Sequence, residues 1–465
     1  MFVDDFKTPG PVHPLPEINM VTPRTVPIEN ASVRQGWSVS IATRDIHVAQ
    51  NPREPRKERT PLVASQLTRR SFLHAGAAVA GALCLSASAV AEGKKWRIAV
   101  IGQTGHGNYG HGLDTCWLAI PETTVVAFAD ADEGGRRKEQ AKLPNVRAYA
   151  DYHQMLREVK PDVVAVAPRW IDQHAEMMLA AIEAGARGIY VEKPFCRTPV
   201  EADRILAAAR KSGCRIAVAH RNRYHPALFA VQKAVTEGAI GTLLELRGRG
   251  KEDHRGGCLD LWVLGSHVFD LARFFAGNPQ SCSALIQQGD RPARSSDFTE
   301  GAEGVGPICG DRIHARFNMQ NGLPFYFDSI RNAGTANANF GLQLIGNLGV
   351  IDLRIDREPV AHLLSGCPFL PSSRPTAWVP ISSAGVNLPE PLKGLGDQVA
   401  SHERACRDLL AAISEQRPAK CSDVDGAATV EMIHGIYQSH VRDEARVPFP
   451  LKHREHIFET WKSMS

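Results

Sequence analysis

Short apolar runs alternate with helical stretches over residues 95–220. The pattern predicts buried strands at 96–101, 124–129, 162–167, 187–191 and 215–219, and helices at 172–184 and 200–212. Short apolar strands that alternate with helices are typical of a parallel sheet covered by helices on both faces. The pattern therefore predicts a doubly wound α/β domain over residues 95–220.

The apolar pattern changes after residue 243, where alternating positions indicate half-buried strands. Strands are predicted at 243–250, 313–317, 323–329, 341–345 and 349–353, and helices at 402–416 and 424–439. Residues 361–391 are rich in Pro, Ser and Gly, which predicts a long loop that folds over the site. Residues 221–457 are thus expected to form an α+β domain.

The first ninety residues lack the periodicity of a folded domain. Residues 1–65 are rich in Pro, Arg and Thr, so they are expected to be disordered or to follow a start codon assigned too far upstream. Residues 66–91 resemble a twin-arginine signal peptide, with Arg69 and Arg70 before an Ala-rich apolar stretch. The sequence predicts export to the periplasm by the twin-arginine machinery. An uncleaved membrane anchor and a buried helix remain the alternatives.

Composition places the chain among soluble globular proteins. A formal charge of +4 over 465 residues argues against a nucleic-acid binder. Ten cysteines are spread singly, with neither a C-x-x-C pair nor a zinc-type Cys/His cluster. No metal is therefore expected, and buried free thiols are favoured over disulfides.

A glycine-rich turn follows the first predicted strand and begins at Gly102. Counted from the strand end, the dinucleotide fingerprint falls on Gly102, Thr104 and Gly107, with Thr104 at the middle glycine; a literal G-x-G-x-x-G starts later, at Gly105. Such turns let the backbone approach a pyrophosphate, and the next helix offers its N-terminal N–H groups. The turn predicts a Rossmann-type dinucleotide site.

Asp130 ends the second predicted strand, where a carboxylate can accept hydrogen bonds from both adenosine ribose hydroxyls. This favours NAD over NADP, although Arg136 and Arg137 lie close enough to receive a 2′-phosphate. The alternative is that Asp130 caps the following helix. Because ligands bind at the carboxyl ends of parallel strands, Gly102, Asp130, Pro168 and Lys193 are expected to lie together.

Several motifs in order resemble one protein family. They are Ala167-Pro168 with His174, Glu192-Lys193-Pro194, the run 221–226, the run 238–241, Gly256-Gly257 to His267 and Asp270, the run 346–353 and the run 447–451. Together they resemble the glucose-fructose oxidoreductase, inositol dehydrogenase and rhizopine catabolism (Gfo/Idh/MocA) family over roughly residues 95–457.

The resemblance implies a Rossmann domain followed by an α+β domain with an open, mostly antiparallel sheet that often forms an oligomer interface. It also implies oxidation of a sugar or polyol hydroxyl with tightly bound NAD or NADP. The cofactor is expected to contact Gly102, Thr104, Gly105, Gly107, Asp130, Pro168, Glu192 and Lys193. Lys193, whose peptide bond to Pro194 can be cis, is expected to polarise the alcohol. His267 is expected to accept the proton of the alcohol.

One position departs from the family pattern. An Asp is expected four residues before His267, where this chain has Val263, while Asp260 lies two helical turns away. Two other functions stay open: a redox-neutral, NAD-dependent glycoside hydrolase or lyase, a chemistry that the resemblance to the family also implies, and a non-catalytic dinucleotide sensor, which Val263 suggests. Candidate substrate contacts, chosen as polar or aromatic groups that suit a sugar, are Arg223, Tyr224, His254, Arg255 and Trp262.

Overall fold

The protein is described here by a computed structural model, which covers residues 95–334, 340–373 and 375–461. The segments predicted as disordered (1–65) and as a signal peptide (66–91) lie outside these residues. Within the described residues, no helix combines the length and the apolar character needed to cross a bilayer.

The N-terminal sheet has six parallel strands in the order β3-β2-β1-β4-β5-β6. They are β1 Trp96–Ile101, β2 Thr123–Ala129, β3 Arg147–Tyr149, β4 Val163–Val166, β5 Gly188–Val191 and β6 Arg215–Val218. Strand β4 is wholly buried, as expected for a strand with helices over both faces. This confirms the predicted doubly wound sheet; β3, only three residues long, was too short for the hydrophobic pattern to reveal.

Five helices flank this sheet or lead away from it: α1 Glu133–Lys142, α2 Tyr152–Val159, α3 His174–Glu183, α4 Pro199–Ser212 and α5 Ala227–Thr236. Local sequence sets their ends. Helix α4 begins with a capping box between Thr198 and Glu201, and Gly213 ends it in the left-handed conformation. Asp132, rather than Asp130, caps α1 by accepting a hydrogen bond from the backbone of Gly135.

A mixed, mostly antiparallel sheet follows, in the order β18-β17-β16-β15-β14-β7-β13-β12-β8-β19, with β9 paired to β8; only β7 and β13 run parallel. Its strands are β7 Leu243–Arg249, β8 Pro279–Gln288, β9 Arg291–Pro292, β12 Arg312–Met319, β13 Pro324–Ile330, β14 Gly341–Gly346, β15 Gly349–Arg354, β16 Ala361–Ser365, β17 Val379–Ser382, β18 Gly385–Val386 and β19 Val447–Pro448. A separate hairpin joins β10 Thr299–Gly301 to β11 Gly306–Ile308. The predicted α+β fold class is confirmed.

The prediction of one long loop at 361–391 was wrong in part. Strands β16, β17 and β18 lie in this segment and extend the sheet edge. Pro380 pairs with His362 in this antiparallel edge. The Pro, Ser and Gly content masked short strands near the sheet edge, where proline is best tolerated.

The remaining helices are α6 Cys258–Asp260, α7 Ser266–Ala276, α8 Leu395–Ala400, α9 Glu403–Glu415, α10 Asp423–His440 and α11 Ile457–Trp461. Helix α10 contacts β6 and α4 of the first sheet layer and β8 of the second sheet. Just before α10, the backbone N–H of Val218 donates to the Cys421 carbonyl, which extends the first sheet at its β6 edge. These contacts join the two sheets into one framework around the carboxyl end of β5.

Candidate active site

Lys193 follows β5, and its peptide bond to Pro194 is cis. The buried ring of His174 lies between two loops at this end of the sheet: Nε2 is 2.7 Å from the Pro168 carbonyl oxygen and Nδ1 is 3.0 Å from that of Pro194. Burial lowers the pKa of His174, so the neutral ring has one N–H and donates to one of these two carbonyl oxygens. The ring packs between the loop after β4 and the loop that carries Lys193.

The Lys193 ammonium is largely buried. Its Nζ donates to the Val263 carbonyl oxygen at 3.0 Å and lies 4.0 Å from Glu192 Oε1. Val263 is in a π-helical turn, Leu261–Gly265, between α6 and α7. At the position where the family pattern has an acidic side chain, this chain uses a backbone carbonyl to position Lys193.

Glu192 is fully buried behind Lys193, and its Oε1 pairs with His111 Nδ1 at 2.7 Å. Burial alone raises the pKa of Glu192, but the hydrogen bond and charge of His111, together with Lys193, outweigh it and hold that pKa below its ordinary value. Glu192 is thus a carboxylate that balances Lys193. His111, part of the sequence run after the glycine turn, was not singled out from the sequence.

His267 lies in the first turn of α7 and is almost wholly buried. Its ring packs edge-to-face on His220, with 5.1 Å between centroids, and also contacts Phe340. Burial, then the neighbouring His220 and Lys193, lowers the pKa of His267 well below its ordinary value. The lowered pKa keeps the ring neutral, and its Nδ1 has no hydrogen-bond partner among the described residues.

Asp260 does not replace the missing acidic residue. Its carboxylate accepts a 2.6 Å hydrogen bond from the Ser329 hydroxyl and others from the backbone of Lys251 and Glu252. Asp260 therefore anchors the segment before α6 to β13. The sequence interpretation that Asp260 lies too far along the axis to pair with His267 agrees with this placement.

Three buried histidines are expected to make the folded protein less stable at acid pH. Burial lowers the pKa of His402 and His434 to about 4 and that of His456 to about 2. The unfolded chain binds protons at these positions below about pH 6.5, whereas the folded chain does not, so stability falls as pH decreases from 6.5 toward 4.

Each such histidine lowers the free energy of unfolding by up to about 1.4 kcal/mol per pH unit in this window. Urea unfolding between pH 8 and pH 4 checks this. The urea concentration at the midpoint is expected to be constant above pH 7 and to fall steeply below pH 6.5. Replacing His434 by Gln is expected to flatten the slope. A midpoint that does not change between pH 7 and pH 4.5 would contradict the prediction.

The turn after β1 differs from expectation. Instead of a helix, residues 102–115 form turns, followed by a short 3-10 helix, Cys116–Ala119. The Tyr109 ring fills the space beside Gly102, where a Cβ atom would lie 2.1 Å from the ring. Because Tyr109 and the backbone bond from Gly110 to Ala167 hold the turn against the sheet, the first crossover has no long helix.

Asp130 organises this turn. It accepts hydrogen bonds from the backbone N–H and the hydroxyl of Thr104, the latter at 2.7 Å, and from the backbone of Asp132. Thr104, at the position of the middle glycine, therefore points toward Asp130 and Gly135. A ribose hydroxyl at Asp130 has to share this carboxylate with Thr104.

A cavity of about 230 Å³ lies at the carboxyl ends of β1 and β2, and its lining includes Gly102, Gln103, Asp130, Tyr152 and Met177. The Gln103 side-chain oxygen is buried without a hydrogen-bond partner among the described residues. An apolar wall with a few unpaired polar groups is typical of a small-molecule site. The residues present fit the adenosine half of a dinucleotide.

Gly102 gives a direct test of this fit. In the variant Gly102→Ala, the new methyl group overlaps the Tyr109 ring, so the turn has to shift. Dinucleotide affinity is expected to fall about 10-fold or more, a change of roughly 1.4 kcal/mol. Isothermal titration with NAD⁺ measures it, with Gly134→Ala in α1 as the control. Equal affinity in the two variants would show that the turn does not contact the dinucleotide.

Three predicted substrate contacts need correction. The Trp262 indole is fully buried and donates to the Tyr437 hydroxyl at 2.8 Å, and the Tyr224 hydroxyl faces backbone carbonyls in the core. Arg223 is paired with the buried carboxylate of Asp270 at 2.7 Å. These side chains stabilise the second domain, because neighbouring groups already satisfy their polar atoms.

The other two substrate candidates lie in the segment before α6. The side chain of His254 is 83% exposed, and Arg255 forms an ion pair with Asp253 at 2.6 Å. Their contact with substrate stays a prediction.

Gly105 and Gly107 lie in the turn after β1 with positive φ, and Gly107 approaches the backbone of Arg169 and Trp170.

Comparison with known proteins places this geometry in context. Residues 96–220 match the family model described as the Gfo/Idh/MocA oxidoreductase family with an NAD-binding Rossmann fold. The chain is 26% identical over 269 residues to levoglucosan dehydrogenase of Pseudarthrobacter phenanthrenivorans, a match of 52% of this chain and 67% of that protein. It is 35% identical over 135 residues to inositol 2-dehydrogenase of Klebsiella pneumoniae, covering 28% of this chain and 39% of that protein.

Among solved structures, levoglucosan dehydrogenase in complex with NADH and L-sorbose superposes with a TM-score of 0.61 at 22% identity. That match covers 77% of this chain and all of the other. It supports the fold over both sheets. The matched sequence stretches, in contrast, span 39% to 67% of these relatives' own lengths.

Proposed function

We propose that this chain moves a hydride between NAD and a hydroxyl-bearing carbon of a sugar or polyol, because residues 96–220 match the model of the Gfo/Idh/MocA oxidoreductase family with its NAD-binding Rossmann fold. The observation that carries the proposal is that Lys193 and His267 lie near each other at the carboxyl end of this sheet. Lys193 donates to the Val263 carbonyl oxygen in the π-helical turn, His267 lies in the first turn of the helix that follows, and the lysine charge helps to lower the pKa of His267. Both side chains are buried, and the Glu192 carboxylate lies 4.0 Å from the Lys193 ammonium, whose charge it balances.

In this reaction Lys193 donates a hydrogen bond to the substrate oxygen and stabilises the charge that develops there. The neutral imidazole of His267 accepts the hydroxyl proton. Glu192, held by His111, balances the charge of the lysine side chain. Gly102, Gln103 and Asp130 line the cavity that would hold the adenosine part of NAD, and the bound dinucleotide would supply the hydride acceptor.

The substrate class is proposed from the relatives, whose names include levoglucosan, inositol, D-apiose and D-glucoside dehydrogenases. The purified chain is to be assayed with NAD⁺ or NADP⁺ against these four compounds and related polyols, and NADH or NADPH formation is followed by absorbance. We expect turnover with at least one sugar and a preference for NAD⁺. Cleavage of a glycoside without net NADH would instead support the redox-neutral alternative, and binding of NAD without any turnover would support the sensor.

Export is proposed from residues 66–91, whose paired arginines resemble a twin-arginine signal. The test is fractionation of cells that express the native gene and a variant with Arg69 and Arg70 replaced by lysine. The native protein is expected in the periplasmic fraction, and the variant is expected to be absent from it. Membrane-bound protein in both would indicate an anchor.

Self-association is proposed through the uncovered face of the second sheet. That face carries ion pairs such as Arg247 with Glu245 and His314 with Asp328, while Arg247 stacks over Tyr326. A face of half-buried, alternating charges is suited to pairing with a second copy of itself. Native mass spectrometry is expected to give a homo-oligomer that Tyr326→Glu dissociates; a wild-type monomer would contradict this.

A further inference from the structure

Three side chains of metal-ligand type meet beside His267, from distant parts of the chain. His220 follows β6, Asp270 lies on α7, and Cys421 precedes α10; all three are buried. Cys421 Sγ lies 3.5 Å from His220 Nδ1 and 3.5 Å from Asp270 Oδ1. One ligand atom from each lies within 4.8 Å of the other two.

These separations suit a tetrahedral metal ion. Zinc bonds of about 2.0 Å to nitrogen or oxygen and about 2.3 Å to sulfur place neighbouring ligand atoms roughly 3.5 Å apart. Both measured contacts of Cys421, to His220 Nδ1 and to Asp270 Oδ1, have this length. The three ligand atoms lie within 4.8 Å of one another, so binding of an ion has to bring the His220 and Asp270 side chains closer together.

The polar atoms of the cluster are not all satisfied by the protein. A hydrogen-bonded chain, with His220 Nδ1–H donating to Sγ and the thiol donating to Asp270, accounts for the two short contacts. It leaves His220 Nε2 and Asp270 Oδ2 buried without a partner among the described residues. An unpaired buried carboxylate oxygen is costly, and a cation bound there relieves that cost.

The charges around the cluster are already paired before an ion enters. Arg223 pairs with Asp270 at 2.7 Å and Arg273 pairs with Asp425 at 2.8 Å, so the Cys421 thiolate is the additional anion that accompanies a bound 2+ ion. The bond from Arg223 to Asp270 Oδ1 orients the carboxylate, as outer hydrogen bonds to metal ligands commonly do. Asp270 Oδ1 also faces Cys421 Sγ, and Oδ2, which has no partner among the described residues, is the second oxygen available to an ion.

We propose that His220, Asp270 and Cys421 bind one divalent ion of the zinc class, with water or the second carboxylate oxygen in the fourth position. Nitrogen, oxygen and sulfur together favour zinc over magnesium or calcium. On binding, the Cys421 thiol loses its proton to solvent as the metal–sulfur bond forms, so one proton is released per ion at pH 8. The ion fixes the His220 ring that packs on His267.

This site could not be found from spacing, because the ligands are 50 and 151 residues apart along the chain and belong to no local motif. The expectation of no metal depended on local Cys/His patterns. The fold brings these residues together through the extension of β6 by the segment at Cys421.

Metal content and cobalt binding test the proposal. The full chain, purified without chelator, is expected to contain about one zinc ion per chain, as measured by elemental mass spectrometry. After chelation, Co²⁺ titration is expected to give the near-ultraviolet thiolate-to-cobalt absorption, saturating at one equivalent with release of one proton. Cys421→Ala is expected to lose this absorption, while Cys367→Ala, which removes an exposed thiol, retains it.

The wild-type measurement is decisive even if Cys421→Ala fails to fold. Folded wild-type protein that contains no zinc and shows no cobalt–thiolate absorption would overturn the proposal and favour the hydrogen-bonded chain. Equal absorption in folded Cys421→Ala and Cys367→Ala would overturn it as well. Neither result depends on NADH formation, so failure here is distinct from failure of the proposed oxidoreductase activity.

Discussion

Replacing Lys193 by Ala is expected to lower kcat/KM on the best sugar or polyol substrate by about 10³-fold, within the range for loss of a positioned proton-transfer group. The variant removes the ammonium that the Val263 carbonyl and Glu192 hold in place. It also leaves the fully buried Glu192 without its lysine partner. Steady-state NADH formation measures the effect.

The control for this variant is Lys211→Ala, which removes an exposed ammonium near the end of α4. Its activity is expected to match the wild type. Because loss of Lys193 also affects a buried charge, thermal unfolding of both variants separates loss of activity from loss of fold. A folded Lys193→Ala protein with wild-type kcat/KM would remove the lysine from the reaction.

Replacing His267 by Ala is expected to lower kcat by about 10² to 10⁴-fold with a much smaller change in KM. The ring is kept neutral by burial, so it can accept the alcohol proton without first losing one. The loss concerns proton transfer rather than binding, so kcat and kcat/KM fall together. Kinetics on the same substrate, with exposed His153→Ala as the control, check this.

Partial recovery of the His267→Ala rate by added imidazole would further support a proton acceptor. If the variant instead raises KM at unchanged kcat, His267 only contacts the substrate. In that case another group accepts the proton, and the variants to test next are those of His111, which pairs with Glu192, and His220, which packs on His267.

The sequence predicted the architecture because each strand of the first sheet, except β3, contains a run of at least three consecutive apolar residues. It also predicted Lys193, since Glu192-Lys193-Pro194 is a local motif at a strand end. The missing first helix was not predictable in the same way: it depends on the Tyr109 ring seated beside Gly102, a contact within a turn whose glycines alone fit several conformations.

The substrate candidates show where sequence reasoning ends. Polar and aromatic side chains near a motif suit a sugar, but Trp262 and Tyr224 prove to be core residues whose polar atoms bond to distant groups, Tyr437 and the Cys421 carbonyl. Conversely, His220 and His402 lie near Lys193 or its neighbour Glu192 without belonging to any motif. Only the fold brings these long-range partners together.

The central claim is that hydrogen leaves a sugar carbon as hydride at the Lys193 and His267 site. Transfer of deuterium from C-deuterated sugars or polyols to the dinucleotide tests it most directly, because mass spectrometry of the nicotinamide detects both net and transient oxidation. The account predicts deuterated dinucleotide with the wild-type chain and background levels with Lys193→Ala. A wild-type protein that binds NAD⁺ but transfers no deuterium from any sugar or polyol would contradict it.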